Sequence, residues 1–485
     1  MLRPLQRWLL GVSVNVLLAA ASAHHHINAN NSTARATLPA RIVQATEERV
    51  KAKWYPSVVI AVVEGNKSNI VSFGKLDDGR PPDRRSVYEI GSITKTFTAA
   101  LLAQDILSGR VKPDSAVMDL LPGFRLPSRY GQQITLASLA TQSSGLPYMP
   151  DNLAAADPAN PFAGYDVAKL KAFLGRYQLT RAPGEAYEYS NLGFGLLGFA
   201  LTQPRSYGSV LHERILGPLG MKMSGVDLSK AMRTHLAPGH DRHNQPAENW
   251  SFDALAGCGA IDSTAEDMLR YLKANMPGAK TVLSPAFHLA QQARRNVNQS
   301  EQIGFAWMKR KGNPEDIVWH NGTTFGYASF IGFTADGKRG IVILTNISEN
   351  VDDLGFATLS DEPLRSYKTV PLDSTSLKSY EGVYKVSGSA PKSGLIRVFV
   401  QDGQVFAEAL GEEPLPLFAQ SRDEFFTRID GFHLIYHRKA NGDVDSLILR
   451  QKEDRMAPRL NGDEAASGLS LFPRAASSKA AFQRE

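Results

Sequence analysis

The run Ser57-Val58-Val59-Ile60-Ala61-Val62-Val63 constrains the fold more than any other stretch of this chain. An unbroken apolar, mostly β-branched segment of this length, closed by Glu64-Gly65, reads as a buried strand. Residues 70–73 supply a partner strand across a turn. Two more strands, at 327–334 and 340–345, lie far along the chain and are joined by a turn at Asp336-Gly337. Between them, from Asp114 to about Met276, helical patterns and long Pro/Gly-rich loops prevail. Sheet segments therefore flank a mostly helical insertion, an α/β (α+β) organisation.

A chain of 485 residues, 43% hydrophobic and 21% charged, has the makings of a packed core and room for more than one domain. The net charge of +6 comes from scattered Lys and Arg with no long basic run, which argues against nucleic-acid binding. The N-terminus carries Arg3 and Arg7, then an apolar stretch from Leu9 to Ala20, then Ala21-Ser22-Ala23. That is the layout of a cleaved secretory signal at 1–23, its apolar core short for a membrane span, with an uncleaved anchor as the alternative. A periplasmic or secreted location is expected. Residues 24–40 read as a flexible leader. Its His24-His25-His26 lacks companion ligands at metal-site spacing, and neither a metal nor a cofactor is expected. The one cysteine, Cys258, excludes an internal disulfide and sits among small residues as a small buried hydrophobe.

Composition shifts after about Pro371. Short β-like runs at 396–400, 405–409, 424–427, 433–436 and 446–449 are punctuated by Asp402-Gly403, Asp430-Gly431 and Asn441-Gly442. Repeated short strands with such turns suggest an antiparallel sandwich or small barrel, over about 376–455. Residues 462–485 read as a polar tail.

Three motifs carry chemistry. In Ser92-Ile93-Thr94-Lys95 the serine and lysine are spaced i, i+3 and share one helix face, so an ammonium stands beside a hydroxyl. A helix beginning near Ser92 adds positive potential where an alkoxide or oxyanion would form. The pattern is cheap by itself: Ser389-Ala390-Pro391-Lys392 repeats it with no helix to align it. In Tyr189-Ser190-Asn191, a phenol near an ammonium can have its pKa lowered and so can shuttle a proton, and the asparagine can hold an amide. In His320-Asn321-Gly322-Thr323, directly before a strand, glycine admits close approach of substrate, and the Thr323 amide can face an oxyanion.

In this order the motifs resemble those of the penicillin-recognising serine hydrolases: class C β-lactamases, D,D-peptidases and related esterases. Ala140-Thr141-Gln142-Ser143-Ser144-Gly145-Leu146-Pro147, Leu216-Gly217-Pro218-Leu219-Gly220-Met221 and Asp262-Ser263-Thr264 are similar to family segments too. The resemblance implies a β-lactamase/transpeptidase-like fold over 41–367, an antiparallel sheet flanked by helices with an all-helical subdomain. It makes Ser92 the nucleophile, Lys95 its first base and Tyr189 the general acid/base. Asn191, His320, Gly322 and Thr323 would bind substrate, with the Ser92 and Thr323 amides as oxyanion hole. The 376–455 segment resembles the lipocalin-like barrel of some members, headed by Tyr380, Gly382 and Tyr384.

Two positions depart from the family pattern. His320 stands where many members have lysine, so a substrate carboxylate would be held weakly and pH-dependently. Gln142 stands where histidine is frequent, with no consequence read from the sequence. The expected activity is hydrolysis of β-lactams or D-Ala-type peptides, with a carboxylesterase and a non-catalytic wall-peptide sensor as alternatives. The expected partners are small-molecule or peptide substrates, and homo-oligomerisation is left open. No G-x-S-x-G elbow occurs, and His212-Glu213 lacks the second histidine of a zinc peptidase, Leu216 standing there.

Overall fold

The computed structural model describes residues 38–153, 159–364, 369–388, 394–401, 403–410, 414–427, 432–450 and 454–472. The secretory signal, the histidine run and the Ser389–Lys392 repeat lie outside the described residues. The chain divides into two compact units, one ending at Leu364 and the other beginning at Arg365.

The first unit opens with helix α1 (Ala40–Lys51), strands β1 (Ser57–Glu64), β2 (Lys67–Gly74) and β3 (Val87–Glu89), then helices α2 (Thr94–Leu107), α3 (Leu136–Ala140) and α4 (Asn191–Thr202). It closes with β4 (Asp262–Thr264), α5 (Ala265–Asn275), β5 (Arg295–Asn296), β6 (Glu301–Ile303), β7 (Met308–Arg310), β8 (Ile317–Thr323), β9 (Ala328–Thr334), β10 (Arg339–Thr345) and α6 (Asp352–Leu359). The main sheet is antiparallel in the order β2-β1-β10-β9-β8-β7-β6-β5. Ile60 faces Ile343 and Ile331 faces Val342, so the first strands close onto the last. Helix α5 covers one face, where Met276 and Leu272 press on Gly340, and α6 covers the other, where Leu359 presses on Gly332. Covered on both sides, β1 is buried at every position but Glu64, which explains why its sequence runs apolar instead of alternating.

The sheet was read with four strands missing, β5 to β8, of which β5, β6 and β7 are only two or three residues long. The His320 motif does not precede the sheet; it forms the end of β8, where the polar residues Asn321 and Thr323 mask the strand pattern. Helix α2 runs buried from Thr94 to Ala103, with Phe97 stacked on Tyr271 at 3.8 Å between ring centroids. This helix is the spine of the unit, and the hydroxyl of Tyr271 donates to Thr96 at 2.9 Å.

The second unit is a single eight-stranded antiparallel sheet. Its strands are β11 (Gly382–Lys385), β12 (Leu395–Gln401), β13 (Gln404–Ala409), β14 (Leu415–Ala419), β15 (Glu424–Phe426), β16 (His433–Arg438), β17 (Val444–Arg450) and β18 (Asp454–Pro458), paired in chain order. A bridge between Tyr384 and Arg459, and the Leu460 amide donating to the Val383 carbonyl at 2.8 Å, join the last strand to the first. The result is a nearly closed barrel rather than a sandwich, filled by Tyr380, Tyr384, Phe425, Tyr436 and Leu447. Part of the stretch read as a polar tail is ordered: Gly462–Leu469 is a helix, with Asp463 and Glu464 complementing its N-terminal dipole, and Phe472 is buried with Val383 and Leu395.

Glycine at 322 is demanded by packing. A Cβ there would lie 2.0 Å from the Ile90 carbonyl oxygen and 2.6 Å from Ser329 Oγ. Reciprocally, a Cβ on Gly91, at φ +48°, would lie 2.9 Å from the Thr323 nitrogen. The loop before Ser92 and the end of β8 thus meet backbone to backbone. Gly322→Ala should destabilise the fold by about 1–3 kcal/mol and lower Tm by roughly 3–10 °C. Scanning calorimetry checks this, and an unchanged Tm would show that the contact can relax.

Candidate active site

Ser92 lies in a single 3-10 turn, Gly91–Ile93, that feeds directly into α2. Lys95 is in the first turn of α2 and is fully buried. Its Nζ donates to Ser92 Oγ at 2.8 Å, to Asn191 Oδ1 at 2.7 Å and to the Cys258 carbonyl at 2.7 Å. Three N–H groups thus meet three acceptors, the full complement of an ammonium. Burial still disfavours the charge and lowers the Lys95 pKa from 10.5 to about 8. Roughly one Lys95 in ten is then a neutral amine at pH 7, against about one in three thousand for an ordinary lysine.

Each acceptor is delivered by a separate segment. Asn191 is the first residue of α4, and Ser190 caps that helix by accepting from the Gly193 amide at 2.8 Å. Cys258 ends a short turn, Ala256–Cys258, that presses against α4. There Gly198 and Gly257 pass so closely that a Cβ on either would lie under 3 Å from the other's Cα. The thiol of Cys258 is buried and pushed up to about 11, so its part in the site is its carbonyl. That role left no mark in the sequence beyond the surrounding small residues.

Tyr189 donates from its hydroxyl to Ser92 Oγ at 2.7 Å. Lys95 Nζ lies 4.9 Å from the centre of the Tyr189 ring, so amine and phenol flank the same hydroxyl. The lowering of the phenol pKa that a nearby ammonium can produce is outweighed here. Burial raises it well above 10, and the hydrogen bond with Ser92 opposes this only in part. The resting phenol is neutral and a donor.

At the end of β8 the Thr324 amide donates to the Tyr327 carbonyl at 2.9 Å. In an antiparallel ladder successive residues point their N–H groups to opposite sides, so that of Thr323 turns away from β9. The side it faces is the one occupied by Gly91, just before Ser92, and β7 ends earlier, at the Met308–Trp319 pair.

His320 needs correction. It is buried, with Nδ1 at 2.6 Å from the Asn321 carbonyl oxygen. Burial, helped by the Lys95 charge, lowers its pKa to about 3. It is neutral throughout the ordinary pH range and does not supply the partial positive charge expected for holding a carboxylate. At Gly322 the Cβ side is filled by the Ile90 carbonyl, so the glycine is required by that backbone contact.

Sequence reading also missed Glu89, at the end of β3. It is buried opposite Asp262, accepts from the Trp250 amide at 2.5 Å and is pushed up to about 7 by burial. His212-Glu213 is surface structure, Glu213 pairing with Arg205 at 2.6 Å. Among the described residues no group of three or more His, Cys, Asp or Glu is arranged to hold a metal. Among them, too, no helix is long and apolar enough to cross a membrane.

A hydroxyl flanked by a buried amine and a phenol, set at the start of a buried helix beside an antiparallel sheet, is the equipment of a serine hydrolase. The family model described as Beta-lactamase matches residues 42–361, and the chain belongs to that family. It is 27% identical over 237 residues to a β-lactamase of Providencia stuartii, covering 48% of this chain and 58% of that protein. It is 26% identical to the D-alanyl-D-alanine-carboxypeptidase/endopeptidase AmpH of Escherichia coli K12, covering 63% of this chain and 86% of that protein. A solved class C β-lactamase superposes with a TM-score of 0.59 at 21% identity, covering 70% of this chain and 98% of that one. A class C β-lactamase from Rhodobacter sphaeroides gives 0.56 at 22% identity, covering 64% and 94%. At these identities the structures establish the fold.

The Lys95 amine should titrate near pH 8 when followed by side-chain NMR of 15N-lysine-labelled protein. A midpoint above 10 would mean that burial does not disfavour its charge.

Proposed function

We propose that the chain is an exported, periplasmic or secreted serine hydrolase that forms an acyl-enzyme on Ser92. The observation that carries this reading is the meeting of Lys95 Nζ and Tyr189 OH on Ser92 Oγ, at 2.8 and 2.7 Å. The fraction of Lys95 that is neutral accepts the serine proton as Oγ attacks a carbonyl carbon. The developing oxyanion is held by the Ser92 and Thr323 amides. Collapse of the tetrahedral adduct expels the leaving group, which the neutral Tyr189 phenol protonates, with the new Lys95 ammonium beside its ring to steady the transient phenolate. Water then attacks the ester carbonyl as the Tyr189 phenolate takes its proton, and collapse of the second tetrahedral adduct expels Ser92 Oγ, which takes its proton back from the Lys95 ammonium. Asn191 holds Lys95 through its oxygen and aligns the substrate amide.

The substrate class we favour is the amide bond of β-lactams or D-Ala-type peptides, in line with the names of the relatives. The neutral, buried His320 supports a second reading. With no charge at that position, a neutral carboxylic ester loses nothing relative to a carboxylate-bearing substrate. A panel of nitrocefin, a D-Ala-D-Ala peptide and a p-nitrophenyl ester separates the two. Turnover of any of them should vanish in Ser92→Ala. A fluorescent penicillin that labels both proteins equally would remove Ser92 from the chemistry, and stable labelling with no turnover would make the protein a sensor.

The pH dependence follows from Lys95. Its protonated form cannot take the serine proton, so kcat/KM for a neutral ester should rise about tenfold per pH unit below 8 and level off above it. His320, neutral above about 3, should add no limb between pH 5 and 8. A flat profile through pH 8 would contradict Lys95 as base.

A further inference from the structure

Gln142 follows α3, far from Tyr189 in sequence, and is 2% exposed. Its backbone is left-handed, with φ +54°, a conformation uncommon for a residue other than glycine. Two hydrogen bonds leave it for one short segment. Its carbonyl accepts from the Glu188 amide at 2.7 Å, and its side-chain Oε1 accepts from the Ser190 amide at 2.8 Å. The residue between those two amides is Tyr189.

The clamp is itself anchored. The Gln142 amide donates to the Leu139 carbonyl at 3.1 Å, and the Ala140 carbonyl accepts from the Ala306 amide at 2.9 Å. Next door, the Ser143 carbonyl accepts from the Gly184 amide at 2.7 Å, tying the same loop at its start. Thr135 and Ser138 lock α3 with a reciprocal cap. Beyond the clamp, Ser190 Oγ donates to the Pro147 carbonyl at 2.6 Å.

We infer that Gln142 is a positioning residue for the proton-transfer step: it fixes the backbone on both sides of Tyr189 and so sets the distance from the phenol to Ser92 Oγ. This rests on the acyl-enzyme reading above. Gln142 touches neither Ser92 nor Lys95 in this role; it acts through residue 189. Backbone strain held at such a point is common where a reacting group must be aimed, and a misplacement of about 1 Å can cost a hundredfold in rate.

Gln142→Met keeps the length of the side chain and the left-handed backbone but removes the acceptor. Gln142→His restores a nitrogen acceptor in a residue that tolerates this φ. In the full-length protein, kcat for the p-nitrophenyl ester should fall about ten- to a hundredfold in Gln142→Met with KM within about twofold, and should recover in Gln142→His. Hydrogen–deuterium exchange of the peptide spanning residues 186–192 should speed up in the methionine variant and slow again in the histidine variant. Unchanged kcat in a folded Gln142→Met protein, or unchanged exchange there, overturns the inference. A fall in KM-normalised binding with kcat intact also overturns it. The exchange measurement does not depend on turnover. Faster exchange in Gln142→Met, in a protein whose wild type has no Ser92-dependent activity, upholds the clamp and refutes the acyl-enzyme reading instead.

Discussion

A lysine that ordinarily carries its charge in water is here sealed inside the protein, and the rest of the site is built around that fact. Bringing Lys95 from a pKa of 10.5 to about 8 corresponds to roughly 3 kcal/mol against its charged form. Three oxygens hold the ammonium in place: Ser92 Oγ, Asn191 Oδ1 and the Cys258 carbonyl. They come from three segments that the chain must bring together, and each arrival needs small residues. Gly198 and Gly257 let the Cys258 turn close on α4, and Gly91 and Gly322 let the serine loop close on β8. The glycines of this unit therefore serve the placement of one amine and one hydroxyl as much as they serve the fold.

The proton-transfer groups divide their work by environment. Burial lowers the amine toward neutrality and raises the phenol away from it, so at rest Lys95 is the group that approaches a usable base and Tyr189 the group that keeps its proton. Both point at one hydroxyl. His320, by contrast, is neutral and enclosed and adds no charge of its own. Of Lys95, Tyr189 and His320, Lys95 is the one that carries a titrating positive charge near neutral pH, and this bears on which substrates gain from binding here.

The sequence carried a good deal of this. The apolar run at residues 57–63 announced a strand covered on two sides, because only such a strand can dispense with polar alternation. The i, i+3 spacing of Ser92 and Lys95 announced their contact, because helix geometry alone fixes it. The turn pairs after 395 marked a β domain, though not whether it closes, since closure depends on the Tyr384–Arg459 bridge between distant strands. What stayed hidden were effects of burial and of backbone. Nothing in the letters told that the phenol pKa would rise or that His320 would be enclosed. Nor did they show that a carbonyl at 258 would accept from Lys95, or that the side chain and carbonyl of Gln142 would bracket Tyr189. β8 was missed because Asn321 and Thr323 are polar, β5 to β7 because they are only two or three residues long, and the letters did not show that the Ile90 carbonyl fills the Cβ side of Gly322.

The most direct test of the account replaces the amine with a group of similar reach that stays protonated. In Lys95→Arg the guanidinium keeps a positive charge beside Ser92 but cannot accept its proton at any working pH. Intact-protein mass spectrometry, read over time with an acylating ester from pH 6 to 9, gives the rate at which Ser92 is modified. If the neutral fraction of Lys95 drives acylation, the variant should be at least a hundredfold slower than the wild type and should lose the wild type's dependence on pH. Acylation of the arginine protein at the wild-type rate, with the same pH dependence, would contradict the claim that the buried amine is what makes this serine reactive.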